Sequence, residues 1–145
     1  MGCDAVGVDL AETALSRARA YKDPERGSVN YLLADILDPS NGIREASFDY
    51  VFEHTCFCAI DPEQRRNYVQ SAKHWLVPGG KFLGLFFTDP PPREDGGAGP
   101  PFGMDLQELR GLFGEVFTIT SERSPDRSHP DRLGREVIIE MVRNP

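Results

Sequence analysis

The chain has 145 residues, enough for one domain with a real core. Charged residues make up 27% and hydrophobic ones 39%, the balance of a folded globule and not of a disordered chain. A formal net charge of -7 argues against nucleic-acid or anionic-membrane partners, which select basic surfaces, and no apolar run approaches the roughly 20 residues that cross a bilayer.

The opening stretch Gly2-Cys3-Asp4-Ala5-Val6-Gly7-Val8-Asp9 reads as a short buried strand, Ala5 to Asp9, ending in a carboxylate, and not as a basic and then apolar leader. A helix pattern follows from Glu12 to Tyr21. The pair reads as the second half of a nucleotide-binding βαβ unit, whose first strand, glycine-rich turn and helix have no counterpart here. Val29 to Ala34 is a second strand, ending at Asp35 and followed by the turn residues Asp38-Pro39-Ser40-Asn41-Gly42. Phe48 to Phe52 is a third strand, meeting Glu53 and His54.

The next helix has a clear start, with Asp61 as cap, Pro62 at the first helical position and Gln64 at the capping-box position. Tyr68, Val69, Ala72, Trp75 and Leu76 then share one helical face, and Pro78-Gly79-Gly80 stops the helix. Lys81 to Phe87 is almost wholly apolar, which suits a strand buried on both faces. Asp89 to Gly103 is a Pro/Gly-rich loop of a length that is usually functional or mobile. A helix is expected at Asp105 to Phe113, then strands at Val116 to Ser121 and Glu136 to Val142. No helix pattern separates those two strands, so an antiparallel pair at a sheet edge follows. The alternation predicts an α/β fold, a mostly parallel sheet with helices on its faces, in a single domain spanning the chain.

The cysteines (Cys3, Cys56 and Cys58) are odd in number and two are one residue apart, which fits reduced thiols and a cytoplasmic setting better than disulfides. Cys56 and Cys58 lack a second ligand pair, so packing near a strand end is preferred to a zinc site, and no metal is expected.

In open parallel sheets, ligands bind beyond the carboxyl ends of the strands. Those ends carry Asp9, Asp35, Glu53-His54 and Thr88-Asp89, which read together as one rim. Asp9 either caps the following helix, with Glu12 three residues on, or accepts the hydroxyls of a ribose. Asp35 is either a turn residue or a contact to an adenine amino group. Glu53 either pairs with Arg65 or Arg66, or joins His54 in taking a proton or orienting a nucleophile. Trp75 and the Phe82, Phe86 and Phe87 group read as core.

The stretch Phe48-Asp49-Tyr50-Val51-Phe52-Glu53-His54-Thr55-Cys56-Phe57-Cys58-Ala59-Ile60-Asp61-Pro62 carries a resemblance. With Arg65, Tyr68, Leu76, Pro78-Gly79-Gly80 and Gly99-Pro100-Pro101-Phe102, it closely resembles the thiopurine S-methyltransferase family, a branch of the class I S-adenosylmethionine-dependent enzymes that includes bacterial thiol and halide methyltransferases. Gly7-Val8-Asp9, Ala14-Leu15 and Ala18-Arg19 look like the family's second strand and helix. Arg132, Gly134 and Glu136 look like its C-terminal Arg-x-Gly-x-Glu element.

The resemblance implies a Rossmann-like sheet of seven strands, one of them reversed, with S-adenosyl-L-methionine as cofactor. It places Asp9 and Leu10 at the ribose and Asp35 with Ile36 at the adenine. Glu53 to Cys58 would face the methionine end and the acceptor, with Glu53 and His54 as catalytic groups and His54, Phe57, Arg65 and Phe102 against the substrate. The partner implied is a small sulfur or halide nucleophile. The resemblance also implies that Gly2 lies just before the family's second strand, so this chain is expected to be a truncated form whose longer version is active. Loss of a central first strand would expose two apolar strand edges. Ala11 stands where a serine often follows the ribose acid. Two other readings compete. One is a non-catalytic remnant serving as a binding or interaction module. The other is a nicotinamide-dependent oxidoreductase, against which Glu53-His54-Thr55 and Gly99-Pro100-Pro101-Phe102 speak.

Overall fold

The computed structural model describes residues 2–21, 26–38 and 40–145, so Pro39 of the expected turn lies outside the described residues. Internal contacts gather into two compact units, residues 1–43 and 44–145.

In the first unit, β1 (Cys3–Asp9) runs parallel to β2 (Gly27–Leu33), with Cys3 opposite Gly27 and Asp9 opposite Leu33. The crossover between them carries α1 (Glu12–Arg19), as parallel strands require. Tyr31 of β2 holds this helix by donating its hydroxyl to the Ala18 carbonyl at 3.4 Å, and Arg19 lies over its ring. Leu15 is the one residue of α1 that is buried. The expected burial of β1 is not met, since Val6 is 41% exposed. The reason is geometric: among the described residues β1 pairs with β2 alone and is left an edge strand.

The second unit holds a four-stranded sheet in the order β3 (Phe48–His54), β4 (Leu76–Phe87), β6 (Glu136–Arg143), β5 (Phe117–Arg123). β3 and β4 are parallel, while β6 is antiparallel to both β4 and β5. The expected antiparallel C-terminal pair is therefore present, with β6 inside the sheet and β5 at its edge. Between β3 and β4, Asp61 caps a short 3-10 turn at Pro62–Gln64 through the Glu63 amide, and α2 (Arg65–Trp75) follows directly. Gln64 does not complete a capping box: its side chain accepts instead from Asn67. The helix ends at Trp75, so Leu76, expected on its face, opens β4 instead, and Pro78-Gly79-Gly80 falls inside that strand. The extra residues are absorbed where pairing jumps from Phe48–Leu76 to Tyr50–Lys81.

One face of this sheet is closed by α2 and by α3 (Leu106–Gly114), whose N-terminal amides are capped by the Asp105 carboxylate. Phe82 and Phe86 stack at 6.3 Å between ring centroids, and Phe113, Phe117 and Phe57 pack around them. Aromatic clusters of this kind add directional attraction to the area they bury. Gly84 sits between the two stacked rings in sequence, and a Cβ there would meet the Phe86 ring at 2.2 Å. Glycine is what lets Phe86 lie down across β4. The opposite face is different. Tyr50 and Phe52 of β3 are 64% and 68% exposed, and Leu83 of β4 is 37% exposed. Burial of β4 on both faces is thus met on one only, because α2 and α3 pack on the same side among the described residues. β3 pairs with β4 alone and is, like β1, an edge strand among the described residues. No helix of the described residues is long and apolar enough to cross a membrane.

Candidate active site

The second unit builds its site at the end of β3. Alternation along that strand sends Glu53 toward the helix-covered core and His54 to the opposite face. Glu53 is 2% exposed, whereas His54 is exposed and touches the Phe52 ring. Immediately after, Thr55 takes a positive φ of 61°, an outlier for a β-branched residue. Strain of this sort persists where the surroundings enforce it, and it concentrates at functional sites.

The enforcing group is Glu53. Its Oε1 accepts the Cys56 and Phe57 amides at 2.8 and 2.9 Å, and its Oε2 accepts the Tyr68 hydroxyl at 2.9 Å. The carboxylate thus ties a tight turn, Cys56–Ala59, to α2. Burial pushes the Glu53 carboxyl up from its ordinary value, opposed by the Phe57 amide, the Tyr68 hydroxyl and the Cys56 amide. Burial, followed by the charge of Glu53, holds the Tyr68 hydroxyl well above its usual range. Neither Arg65 nor Arg66 is the partner of Glu53: their carboxylate partners are Glu108 and Glu115.

Arg65 forms the second anchor. Its guanidinium is 1% exposed, lies over the Phe57 ring at 5.3 Å and donates to the carbonyls of Phe102 and Gly103. The Phe102 amide in turn donates to the Cys58 carbonyl at 2.7 Å. These bonds pin the Pro/Gly-rich loop onto the Cys56–Ala59 turn. At Gly99 a Cβ would stand 2.5 Å from the Phe102 ring, so a side chain there would displace it. The Gly99–Pro100 and Pro100–Pro101 peptides are cis.

Above these anchors lies an open pocket of about 290 Å³, lined by Thr55, Cys58, Ala59, Phe87, Pro100, Pro101 and Arg132. Its walls are apolar apart from the Thr55 hydroxyl, the Cys58 thiol and the Arg132 guanidinium. The guanidinium stacks over Phe87 at 5.2 Å and pairs with the buried Glu136 at 3.6 Å. The Cys58 thiol donates to the Thr55 carbonyl. Burial first, and the Glu53 charge second, push its ionisation up, with Arg132 pulling the other way.

The residues singled out in the sequence therefore divide. Glu53, Phe57, Arg65 and Phe102 come together as one bonded cluster supporting the pocket, and the pocket surface itself comes from other residues. His54 stands on the other face of the sheet. Phe87 reads as core in the sequence and is buried, and it also forms a pocket wall. Arg132 is visible there only as part of a motif, and the Arg-x-Gly-x-Glu spacing was the signal that could have found it.

In the first unit, Asp9 and Asp35 each engage one oxygen in a local turn. Asp9 Oδ1 accepts the Ala11 amide and Asp35 Oδ1 accepts the Leu37 amide, both at 2.8 Å. Asp9 is not the helix cap, since Ala11 holds that position without a side-chain bond. In both, Oδ2 carries no hydrogen bond from another described residue, so an outside donor such as a ribose hydroxyl or an adenine amino group can be accepted without breaking the turn. Leu10 is 67% exposed, and Ile36 is half-buried beside Asp35.

Set against known families, residues 1–144 match the pattern of Thiopurine S-methyltransferase (TPMT). The chain belongs to the thiopurine S-methyltransferase family. It is 27% identical over 136 residues to thiocyanate methyltransferase 1 of Arabidopsis thaliana, with 90% of this chain and 56% of the relative covered. To the 2-heptyl-1-hydroxyquinolin-4(1H)-one methyltransferase of Mycobacteroides abscessus it is 33% identical over 136 residues, covering 92% and 57%. The chain thus spans little more than half the length of these relatives. Its fold is that of a SAM-dependent methyltransferase from Methanosarcina mazei, at a TM-score of 0.74 and 12% identity, over 99% of this chain and 92% of that one. Family membership replaces the oxidoreductase alternative.

Proposed function

We propose that this chain works in S-adenosyl-L-methionine-dependent methyl transfer to a small nucleophile held in the pocket over the Cys56–Ala59 turn. The observation that supports this most is the pocket itself. Its floor is anchored from below by two buried charged side chains, Glu53 and Arg65, each of which hydrogen-bonds backbone that shapes the cavity. Its volume sits near the lower end of small-molecule sites, which run from roughly 300 to 1,000 Å³.

Asp9 with Leu10 is assigned to the ribose of the cofactor, and Asp35 with Ile36 to its adenine. When bound, the cofactor supplies a methyl group on a positively charged sulfur. Transfer is an in-line displacement, so the protein's contribution is to position the reactants and remove water. Thr55, Cys58 and the two prolines hold the acceptor. Glu53 acts as a positioning residue, because two of its bonds are committed to the turn and the third to Tyr68 of α2. His54, on the other face of the sheet against Phe52, stays outside the acceptor pocket in this reading.

Thiols, thiocyanate-like anions and halides are the first acceptor class. A second class, an oxygen on a heteroaromatic ring, is favoured by the apolar Phe87, Pro100, Pro101 and Ala59 walls and by the 33% identity to the hydroxyquinolone enzyme. Titration calorimetry with S-adenosyl-L-methionine, followed by product assays with thiocyanate, an aromatic thiol and a hydroxyquinolone, tests both. Cofactor binding that Asp9→Ala weakens supports the reading. A chain that binds neither the cofactor nor its homocysteine product behaves as a non-catalytic module, and the proposal fails.

A further inference from the structure

Resting on the methyl-transfer reading, we infer that Arg93 is a positioning residue for the acceptor. With Asp95 it forms a clasp that fixes the pocket wall made by Pro100 and Pro101, and the fixed wall favours ring-bearing acceptors over small ones. The first observation is how little else holds that wall. Five of the fifteen residues in the loop 89–103 are proline, and proline has no amide hydrogen with which to anchor itself. The neck of the loop is closed by the Met104 amide on the Thr88 carbonyl at 2.8 Å. Just beyond the wall, the Phe102 amide donates to the Cys58 carbonyl, and Arg65 donates to the Phe102 and Gly103 carbonyls. At the wall itself, the Pro100 carbonyl accepts from Arg93 Nη1 at 2.8 Å.

The second observation is how Arg93 is aimed. Its Nε donates to Asp95 Oδ1 at 2.8 Å and its Nη2 to Asp95 Oδ2, which leaves Nη1 for the proline carbonyl. Asp95 Oδ1 also accepts the Gly97 amide at 3.0 Å, and the Gly96 amide donates to the Arg93 carbonyl at 3.1 Å. The segment from Arg93 to Gly97 is thus a bonded turn. A Cβ at Gly97 would stand 3.1 Å from both Arg93 Nε and Asp95 Oδ1, so glycine leaves room for the fork. A planar guanidinium can take a carboxylate on one edge and a carbonyl on another, which the point charge of an ammonium cannot reproduce. Arg93 first, and the Gly97 amide second, hold the Asp95 carboxyl down at about 2, so the pair stays charged at any working pH.

The clasp is solvent-facing, with side chains 37% and 59% exposed, and such pairs add little to global stability. Its effect falls on where a wall stands, not on whether the chain folds. Pro100 and Pro101 face the same cavity as Phe87, Ala59 and Cys58. A ring acceptor that fills the cavity meets both prolines, whereas a slim linear anion such as thiocyanate does not fill it. In-line transfer is sensitive to small misplacements of the acceptor, so a loosened wall penalises the ring acceptor more.

Arg93→Ala in the full chain tests the inference. It should leave the urea midpoint in place and speed exchange of the Phe102 amide, the first N–H after the two prolines, about three- to tenfold. Affinity for an aromatic thiol, titrated with S-adenosylhomocysteine present, should fall about three- to tenfold, while thiocyanate loses less than about twofold. In turnover the loss should appear in KM for the thiol, with kcat held within about twofold. Asp95→Ala should act in the same direction, and Asp95→Asn, which keeps an acceptor, should recover most of the loss. The Arg93→Ala/Asp95→Ala pair should be no worse than Arg93→Ala alone, because the two side chains act as one unit. Unchanged Phe102 exchange in Arg93→Ala overturns the inference, as does equal loss for the thiol and thiocyanate, or a wild type that binds no aromatic thiol. Arg93-dependent binding of the thiol without any methyl transfer overturns the transferase reading and leaves the clasp standing. Methyl transfer whose preference for the thiol is indifferent to Arg93 does the reverse.

Discussion

The two units of this chain use the same α/β grammar and reach different degrees of closure. Residues 44–145 carry a ring of phenylalanines, Phe57, Phe82, Phe86, Phe113 and Phe117, nearly all solvent-free beneath two helices. Among the described residues, 1–43 carry two parallel strands, a helix of eight residues and one buried large side chain, Leu15. A two-stranded sheet gains little stability by itself, whereas four strands under a continuous apolar layer form a cooperative core. The lesson is functional. The pocket proposed for the acceptor is built on the well-packed unit, and the acids proposed for the cofactor stand on the sparse one, where binding itself would have most to add to stability.

That contrast can be broken by substitution. Phe113→Ala removes a ring that touches four other phenylalanines and should cost about 3–5 kcal/mol, measured as the shift in urea midpoint. An effect under about 1 kcal/mol would mean the phenylalanine cluster is not what closes the unit. Leu15→Ala should cost about 2–3 kcal/mol and act locally, accelerating amide exchange in β1, α1 and β2 while β4 and β6 keep their protection. Uniform loss of protection along the chain would show instead that the two units unfold as one.

Glu53 offers a sharper test. Glu53→Ala leaves two amides and a phenol without their acceptor and should cost about 2–3 kcal/mol, whereas Glu53→Gln, which can still accept from the amides, should cost under about 1 kcal/mol. The pH dependence has a definite sign. Since burial raises the folded carboxyl above its ordinary 4.5, the folded chain holds that proton to higher pH than the unfolded one. Stability should therefore fall as pH rises from 4.5 through the raised folded value, and Glu53→Gln should lack that fall. Chemical denaturation across that range measures it. The smallest effect expected is at the α3 cap, where Asp105→Ala should cost about 1 kcal/mol, read as a shift in the urea midpoint.

Much of this was legible before any coordinates. The helical spacing of Tyr68, Val69, Ala72 and Trp75 marks the buried face of α2, and all four are buried. The run from Lys81 to Phe87 marks a central strand, which β4 is, between β3 and β6. Pro78-Gly79-Gly80 marks a helix stop but not its place at Trp75 or the early entry into β4, because a sheet can absorb an irregular stretch that a helix cannot. The motif around Glu53 was legible as important and not as to its role. Sequence spacing places a carboxylate at a strand end in either case, and only the pleat decides whether it faces the core or solvent.

By itself, then, the order of residues determined the element types, the α/β class and the family, since these follow from periodicity, turn chemistry and a long contiguous motif. Tertiary structure alone decided which polar side chains became scaffold and which became surface. It turned Glu53 and Arg65 inward onto backbone amides and carbonyls, and brought Arg132 over Phe87 and into the pocket that Cys58 also lines. Contacts between segments so far apart come from packing, which no local pattern encodes.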